Sequence, residues 1–393
     1  MRILEVMEST IGGTRRHLVD LAGGLLDAGD ELHLCVAVER EPGFRVDLER
    51  LEARGARVHE LPMGRAISPL SDWRHLARLT RIVRAVRPDV VHTHSSKAGV
   101  LGRLAARRAG CRVTVHTPHT FAFLFDAMFS PSKRRLFRAI ETHLARSTTR
   151  VIAVSEGEAS AMIAAGVVPR ERVSVVPNGV DPKRFSDARP LPDAALGLPE
   201  GVKRILVAGL LNPAKGQDLA IEALASEPLT GRSDVHLLLA GHGEDLARLR
   251  ALAQARGLAE RVHFLGWRDD LPALMASVDV LLLPSRWEGM PYAVLEAMAA
   301  GLPVVATRVD GASDLVLPGK SGELVDVGDV AGMARALAAL LTLGAAELAA
   351  LGAAGRGRVL AGYTIAHMVR ATRAVLVEAC STPAEVAKDG PRR

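Results

Sequence analysis

The sequence predicts an α/β protein made of two parallel sheets, each covered by helices on both faces. Three observations carry this expectation. Short Val/Ile/Leu runs alternate with helical segments in two separate series, the rhythm of strands buried on both sides. A Pro-rich, weakly periodic stretch from 182 to 201 divides the two series. The chain has 393 residues, which suits two domains of about 150–200 residues better than a single core.

In the first series, Ile3–Met7 reads as an apolar strand. It runs into Ser9-Thr10-Ile11-Gly12-Gly13-Thr14 and then a helical pattern to Ala28, with Leu18, Leu21, Ala22 and Leu25 on one face. Strand, Gly-rich loop and helix is the layout that brings backbone N–H groups to a phosphate, but a simple tight turn reads the same way. There is no G-x-G-x-x-G, so a dinucleotide site is not indicated. Further strands are expected at Leu32–Val38, Val58–Leu61, Val90–His94, Val113–His116, Val151–Ser155 and Val173–Val176. Ligands of such sheets gather at the carboxyl ends of the strands, where His92-Thr93-His94-Ser95-Ser96-Lys97 and His116-Thr117-Pro118-His119-Thr120 fall. His92 and His94 share a strand face, yet no Asp, Glu or Cys stands at a matching spacing, so no metal site is expected. His119 is the better candidate for a substrate hydroxyl, because it follows a strand end beside a proline.

Residues 72–87 form the clearest amphipathic helix. Arg74, Arg78, Arg81 and Arg84 lie on one side, with Leu76, Leu79, Ile82, Val83 and Val86 opposite. A second basic helix begins at Lys133-Arg134-Arg135 with Arg138, after the apolar loop Phe121–Phe129. That loop either packs on its domain or meets a lipid or apolar acceptor.

The second series starts at Ile205–Ala208 and its loop, Gly209 to Gly216, places Lys215 at a loop–helix junction suited to a phosphate. Val235–Ala240 leads to Gly241-His242-Gly243, Val262–Leu265 to Gly266-Trp267-Arg268, and Val280–Leu283 to Pro284 and Ser285; Val304–Ala306 closes the series. After Ser285 comes a turn with Glu288, Gly289 and Pro291, then a short helix ending at Gly301, with Pro at its first position and Glu296 in its second turn. Free backbone N–H groups at such a turn bind anions, and a carboxylate deeper in the helix accepts from hydroxyls. A ligand carrying both phosphate and sugar is therefore expected.

Composition narrows the partners. Aromatic residues make up 3% of the chain, too few for single-strand nucleic-acid platforms built on stacked rings. Residues 1–184 hold 29 Lys and Arg against 20 Asp and Glu, while the remainder holds 21 against 24. The basic half suits an anionic surface or acceptor, although Arg-rich solvated helices account for it equally well. Cys35, Cys111 and Cys380 have no metal spacing and read as buried reduced thiols. The N-terminus lacks the apolar core of a signal peptide, and Gly332–Gly355 reads as paired surface helices rather than a membrane span. A cytoplasmic protein is expected, peripheral at the inner face of the membrane.

Taken in order, Gly12-Gly13, TPHTF at 117–121, PNGVD at 177–181, Lys215-Gly216, GHGED at 241–245 and the E-x7-E motif from Glu288 to Glu296 resemble the GT-B glycosyltransferases, specifically the retaining nucleotide-sugar family 4. The resemblance covers nearly the whole chain. It implies two Rossmann-like domains with parallel sheets facing a central cleft: an acceptor domain over 1–180, a nucleotide-sugar domain over 181–364, a helix at 365–381 returning to the first domain, and a flexible tail at 382–393. By this resemblance Glu296 binds the donor ribose, and the backbone of Met290, Pro291, Tyr292 and Ala293 meets the diphosphate or sugar. Lys215 neutralises the phosphates and Gly13 closes over them. His119 and Glu288 lie at the transferred sugar, and Gly241, Gly266, Trp267 and Arg268 form the nucleobase region. No metal or cofactor is implied, the nucleotide sugar being a substrate. The reaction implied is transfer of a hexose, UDP-linked, to a lipid-linked or cell-envelope glycan acceptor. A small-metabolite acceptor, a non-catalytic nucleotide-sugar-binding protein, or an epimerase or phosphorylase on the same fold are the alternatives. One departure stands out: the family usually has arginine where this chain has Leu210. A lost charge-assisted contact of that kind is worth about 1.5–3 kcal/mol. Arg286 and Arg308 are the candidates to compensate.

Overall fold

The computed structural model describes residues 1–41, 43–64, 66–124 and 129–381. The chain divides into two units, one comprising Met1–Asn178 with the chain from Ile365 onward, the other Gly179–Thr364.

The first unit holds seven strands: β1 (Arg2–Met7), β2 (Glu31–Val36), β3 (Arg57–Glu60), β4 (Val90–His94), β5 (Thr114–Thr117), β6 (Arg150–Ala153) and β7 (Val173–Val175). They pair in the order β3-β2-β1-β4-β5-β6-β7, every pairing parallel. Side chains alternate between the faces of a strand. Ile3 and Met7 therefore join one buried cluster with Leu18, Leu21 and Leu25, while Leu4 and Val6 join another with Leu79, Val83 and Leu101. Burial on both faces explains why β1 reads as one apolar run rather than an alternating one. It also places Glu5 on the same face as Ile3 and Met7, inside the protein. The helix Ile365–Ser381 packs into this unit: Met368, Val375, Leu376 and Ala379 enter the same cluster, and Arg373 holds Asp30 through two bonds of 2.7 and 3.2 Å.

The second unit has β8 (Lys203–Ala208), β9 (Val235–Ala240), β10 (Val262–Gly266), β11 (Val280–Leu283), β12 (Val304–Thr307) and β13 (Gly322–Val325). Their order is β10-β9-β8-β11-β12-β13, again wholly parallel. The edge strand β13 has no apolar run to announce it. Its sequence GELV pairs because Gly322 lets the backbone approach: a Cβ there would lie 2.0 Å from the Val304 carbonyl oxygen.

Two expectations need correction, and one open alternative is decided. Of the presumed surface pair, Val330–Thr342 and Ala345–Gly362, the first helix lines the core of the second unit through Met333, Ala334, Leu337, Leu340 and Leu341. The two meet at 115°, and among the described residues no single helix is long and apolar enough to cross a membrane. Cys35 is buried, but Cys111 and Cys380 are only half-buried; all three are free thiols. In the apolar loop, Phe121 and Phe123 are buried against Ala145, Val151 and Met162, so its described part packs on its own domain; residues 125–128 lie outside the described residues. The expected tail at 382–393 lies outside them too.

The apolar residues that do face out sit elsewhere. Ile67, Leu70 and Trp73 are 72%, 64% and 64% exposed, at and just before the start of the Pro69–Val86 helix. The inner face of that helix, Leu76, Leu79, Val83 and Val86, is buried as its periodicity requires, and Arg74, Arg78, Arg81 and Arg84 are exposed.

Candidate functional site

In doubly wound sheets, ligands bind where strand order reverses, at the carboxyl ends of the two strands flanking the reversal. The second unit reverses between β8 and β11, and the loops after these strands are where the sequence places Lys215 and Glu288. The two side chains are joined there: Lys215 Nζ lies 2.6 Å from Glu288 Oε1, which also accepts from Ser285 Oγ at 2.7 Å. The loops are stitched backbone to backbone, Arg286 N–H donating to the Ala214 carbonyl at 2.8 Å. Glycine makes this approach feasible. Gly216 has φ +65°, and a Cβ on it would sit 2.1 Å from the Pro284 carbonyl oxygen; one on Gly311 would sit 2.3 Å from that of Gly289.

The helix Tyr292–Ala300 begins beside this pair. Pro291 is its N-cap, with extended ψ of 115°, one position earlier than expected from sequence, and Gly301 terminates it at φ +75°. Pro291 itself makes no side-chain cap bond, and the first turn of the helix carries no acidic residue. The first-turn N–H groups have no intrahelical acceptor, so this end is disposed to receive an anion. Met290 and Pro291 are buried, Tyr292 and Ala293 half-buried, and Glu296 lies within the helix at 6% exposure. At the ends of β9 and β10, Gly241 N–H donates to the Gly266 carbonyl at 2.7 Å. Trp267 is 52% exposed, its ring edge-on to His242 at 5.3 Å, with Nε1 donating to Asp269. Arg268 is committed to Asp270 by bonds of 2.7 and 2.6 Å. The two arginines named to offset Leu210 are also engaged: Arg286 forks onto Asp218 at 3.0 and 2.7 Å, and Arg308 lies 3.2 Å from Asp326.

In the first unit the reversal lies between β1 and β4, and a buried histidine network fills it. The register pairs Glu5 with His92 across β1 and β4, and His94, two residues on, shares their face. Glu5 is thus the carboxylate partner that sequence spacing did not offer these histidines. Its oxygens lie 3.2 Å from His92 Nδ1 and 2.7 Å from His94 Nε2, all three side chains fully buried. Burial alone would raise the Glu5 carboxyl, but the two imidazoles reverse this and hold it at about 2. A carboxylate only accepts, so His94 carries its proton on Nε2. Burial, aided by His92, lowers His94 to about 4, which keeps it neutral at pH 7 with Nδ1 bare. That nitrogen therefore accepts from His119 Nε2, 3.1 Å away. Burial, with His17 and His94 beside it, pushes His119 well below its ordinary value, so its own Nδ1 is left as an acceptor. His17, on the Gly12–Asp27 helix, packs edge-on to His119 at 4.6 Å and donates from Nδ1 to Asn178 Oδ1 at 3.0 Å. Burial and then His94 lower His17 to about 3.

Backbone strain marks the same place. Ser95, His119 and Thr120 take φ of +57°, +55° and +100° without being glycine, a conformation that costs of order 1–3 kcal/mol each. Two buried carboxylates hold it in place. Glu8 accepts from Ser95 Oγ, Lys97 N and Ala98 N at 2.5, 3.0 and 2.8 Å; Glu158 accepts from Thr120 N and Val154 N at 2.6 and 2.7 Å. Such strain concentrates at functional sites. Gly13, in the first turn of the Gly12–Asp27 helix, is exposed, while Gly12 N–H is taken by Glu41 at 3.3 Å.

Two family models match the chain, Glycosyltransferase Family 4 over residues 11–184 and Glycosyl transferases group 1 over residues 189–358. The UDP-Gal:alpha-D-GlcNAc-diphosphoundecaprenol alpha-1,3-galactosyltransferase of Escherichia coli is 35% identical over 280 residues, 70% of this chain and 71% of that enzyme. The chain belongs to the family 4, group 1 glycosyltransferases. A D-inositol 3-phosphate glycosyltransferase of Salinispora tropica is 34% identical over 361 residues, 84% of this chain and 74% of that one. The crystal structure of Anabaena Alr3699/HepE in complex with UDP-glucose matches with a TM-score of 0.80 at 25% identity, over 96% of this glycosyltransferase and all of that chain. The two wholly parallel sheets are therefore those of a GT-B fold.

In this glycosyltransferase, sequence reading overlooked Glu5, Glu8, His17 and Glu158. Glu5 left a signal, a lone carboxylate in an otherwise apolar run flanked by predicted buried strands. Glu8 and His17 left none, since their partners Ser95, Lys97, Ala98 and Asn178 lie at least 87 positions away; Glu158 reaches Thr120, 38 positions away, as well as its near neighbour Val154.

Proposed function

We propose that this glycosyltransferase moves a hexose from a UDP-sugar to an acceptor with retention of anomeric configuration. The observation that carries the reading is the Lys215–Glu288 pair beside the N-terminus of the Tyr292–Ala300 helix, at the strand reversal of the second unit. The backbone N–H groups of Met290, Tyr292 and Ala293 and the Lys215 ammonium neutralise the diphosphate and stabilise it as leaving group; Pro291, which has no N–H, fixes the entry of the helix. Glu296 accepts from the ribose hydroxyls, Trp267 offers its face to the base at the Gly241–Gly266 turn beside Arg268, and Gly13 closes over the phosphates. His119 accepts a sugar hydroxyl proton at Nδ1, and Glu288 orients the sugar once the diphosphate takes its lysine. No metal is needed for these roles. Release of the nucleoside diphosphate measured with UDP-, GDP- and ADP-sugars tests the reading, and the anomeric coupling of the product sugar tests retention. No turnover with any of them sinks it.

Glu296→Ala removes a charged acceptor from the ribose hydroxyls, a loss of about 1.5–3 kcal/mol for a hydrogen bond to a charged group. UDP affinity in a titration should fall about 10- to 100-fold, with the thermal unfolding midpoint recorded as a control. Unchanged affinity in a folded variant rules out the ribose role.

The acceptor we propose is lipid-linked, at an anionic membrane surface. Support comes from the exposed Ile67, Leu70 and Trp73 beside the exposed arginines of their helix, and from the lipid-linked acceptor named for the E. coli relative. Leu70→Ser with Trp73→Ser should reduce sedimentation with anionic liposomes at low salt, and high salt should weaken the wild type. Binding to neither anionic nor neutral vesicles leaves the second reading, a soluble acceptor, which the D-inositol 3-phosphate relatives favour.

A further inference from the structure

We propose that His17, His94 and His119 form a transition-metal site, and that its occupancy withdraws His119 from the sugar. One nitrogen from each ring lies within 4.8 Å of the others. The rings are already oriented as ligands. A metal-bound imidazole characteristically donates its other N–H to a carboxylate or carbonyl, which fixes its tautomer. His94 does this to Glu5 through Nε2, leaving Nδ1 bare, and His17 does it to Asn178 through Nδ1, leaving Nε2 as its lone-pair atom. His119 completes the set by moving its proton from Nε2 to Nδ1, an exchange between two neutral tautomers that exposes the nitrogen now 3.1 Å from His94. Three neutral imidazoles suit Zn²⁺, Co²⁺, Ni²⁺ or Cu²⁺ rather than Mg²⁺ or Ca²⁺, and tetrahedral zinc leaves a fourth position for water. The Glu5 carboxylate behind His94 offsets part of the added charge. The ligands come from a helix, a strand and a strained loop, so their convergence is a property of the fold alone.

The loss of His119 to the metal rests on the transfer reading; the site itself does not, so it is tested without turnover. Metal-free protein is titrated with Co²⁺ and the visible d–d band of tetrahedral cobalt recorded, followed by competition with Zn²⁺. One equivalent per chain is expected, displaced by Zn²⁺. His17→Ala and, independently, His119→Ala should lose the band, while Asn178→Ala should weaken Co²⁺ about 10- to 100-fold by releasing the His17 ring. Circular dichroism establishes that each variant is folded. The nearby-histidine pairs His33–His59 and His236–His263 are the internal control, since they too bring ring nitrogens within 3.1 and 2.8 Å. A wild type without the band overturns the proposal. So does a band that persists in folded His17→Ala and disappears in His59→Ala or His263→Ala. Zn²⁺ should then inhibit UDP release, reversibly with a chelator; Zn²⁺ bound at the triad without inhibition would refute the withdrawal of His119 alone.

Discussion

Lys215→Ala should lower turnover of the UDP-sugar about 10²–10³-fold, the scale on which removing one preorganised donor to developing charge costs about 2.7–4 kcal/mol. The effect is expected at the upper end because Leu210 supplies no guanidinium and both Arg286 and Arg308 are held by their own carboxylates. On the proposed reading, with the usual arginine gone, the ammonium and the first turn of the Tyr292–Ala300 helix carry the diphosphate between them. The ion pair makes a second result diagnostic. Glu288 holds Lys215 at 2.6 Å and so competes with an incoming diphosphate for the same ammonium. Glu288→Gln should therefore bind UDP more tightly than the wild type while transferring sugar more slowly. Titration calorimetry and initial rates read the two quantities separately. If Glu288→Gln loses UDP affinity and turnover together, the carboxylate belongs to the UDP site rather than to the sugar; if Lys215→Ala leaves turnover unchanged, the phosphate role of the lysine is wrong.

Glu5→Ala should destabilise the first unit by about 1–3 kcal/mol for each buried donor it orphans, because it strips the acceptor from two buried imidazoles and leaves His92 Nδ1 and His94 Nε2 without one. Urea unfolding at pH 7 measures it. The same network makes the fold acid-labile, and the sign follows from the shifts. Glu5 has its folded value lowered from 4.5 to about 2, so its contribution is complete above pH 4.5 and disappears as pH falls toward 2. His17 and His94 are lowered from 6.5 to about 3 and about 4. The unfolded chain therefore binds protons that the folded chain refuses below pH 6.5, and stability declines from there downward. The wild-type urea midpoint should drop between pH 7 and pH 5, with the histidines responsible over that range. A flat midpoint would mean that these imidazoles are solvated, and Glu5→Ala would then have little effect.

Much of the architecture was legible along the chain. Most strands announce themselves as short Val/Ile/Leu-rich runs between helical segments, and twelve of the thirteen among the described residues could be placed this way. The exception, β13, depends on Gly322 admitting a neighbour's carbonyl, which is invisible until the neighbour is known. The motif residues Lys215, Glu288 and Glu296 could be named from local pattern because loop chemistry and helix boundaries are encoded locally. The apolar loop left two readings open for a related reason: hydrophobicity marks what prefers to be buried, but not whether it succeeds. Its described part packs on its own domain, and Ile67, Leu70 and Trp73 are exposed instead.

The sequence by itself determined the class of fold, the two series of strands, and which charged residues the loops after β8 and β11 carry, because periodicity and turn chemistry act between near neighbours. Only the tertiary structure decided which strand ends lie side by side. Register across parallel strands set Glu5 against His92, and strand order joined Lys215 to Glu288. Residues 73 to 87 positions apart meet there because hydrogen-bonded strands stand about 4.8 Å apart however long the connection between them.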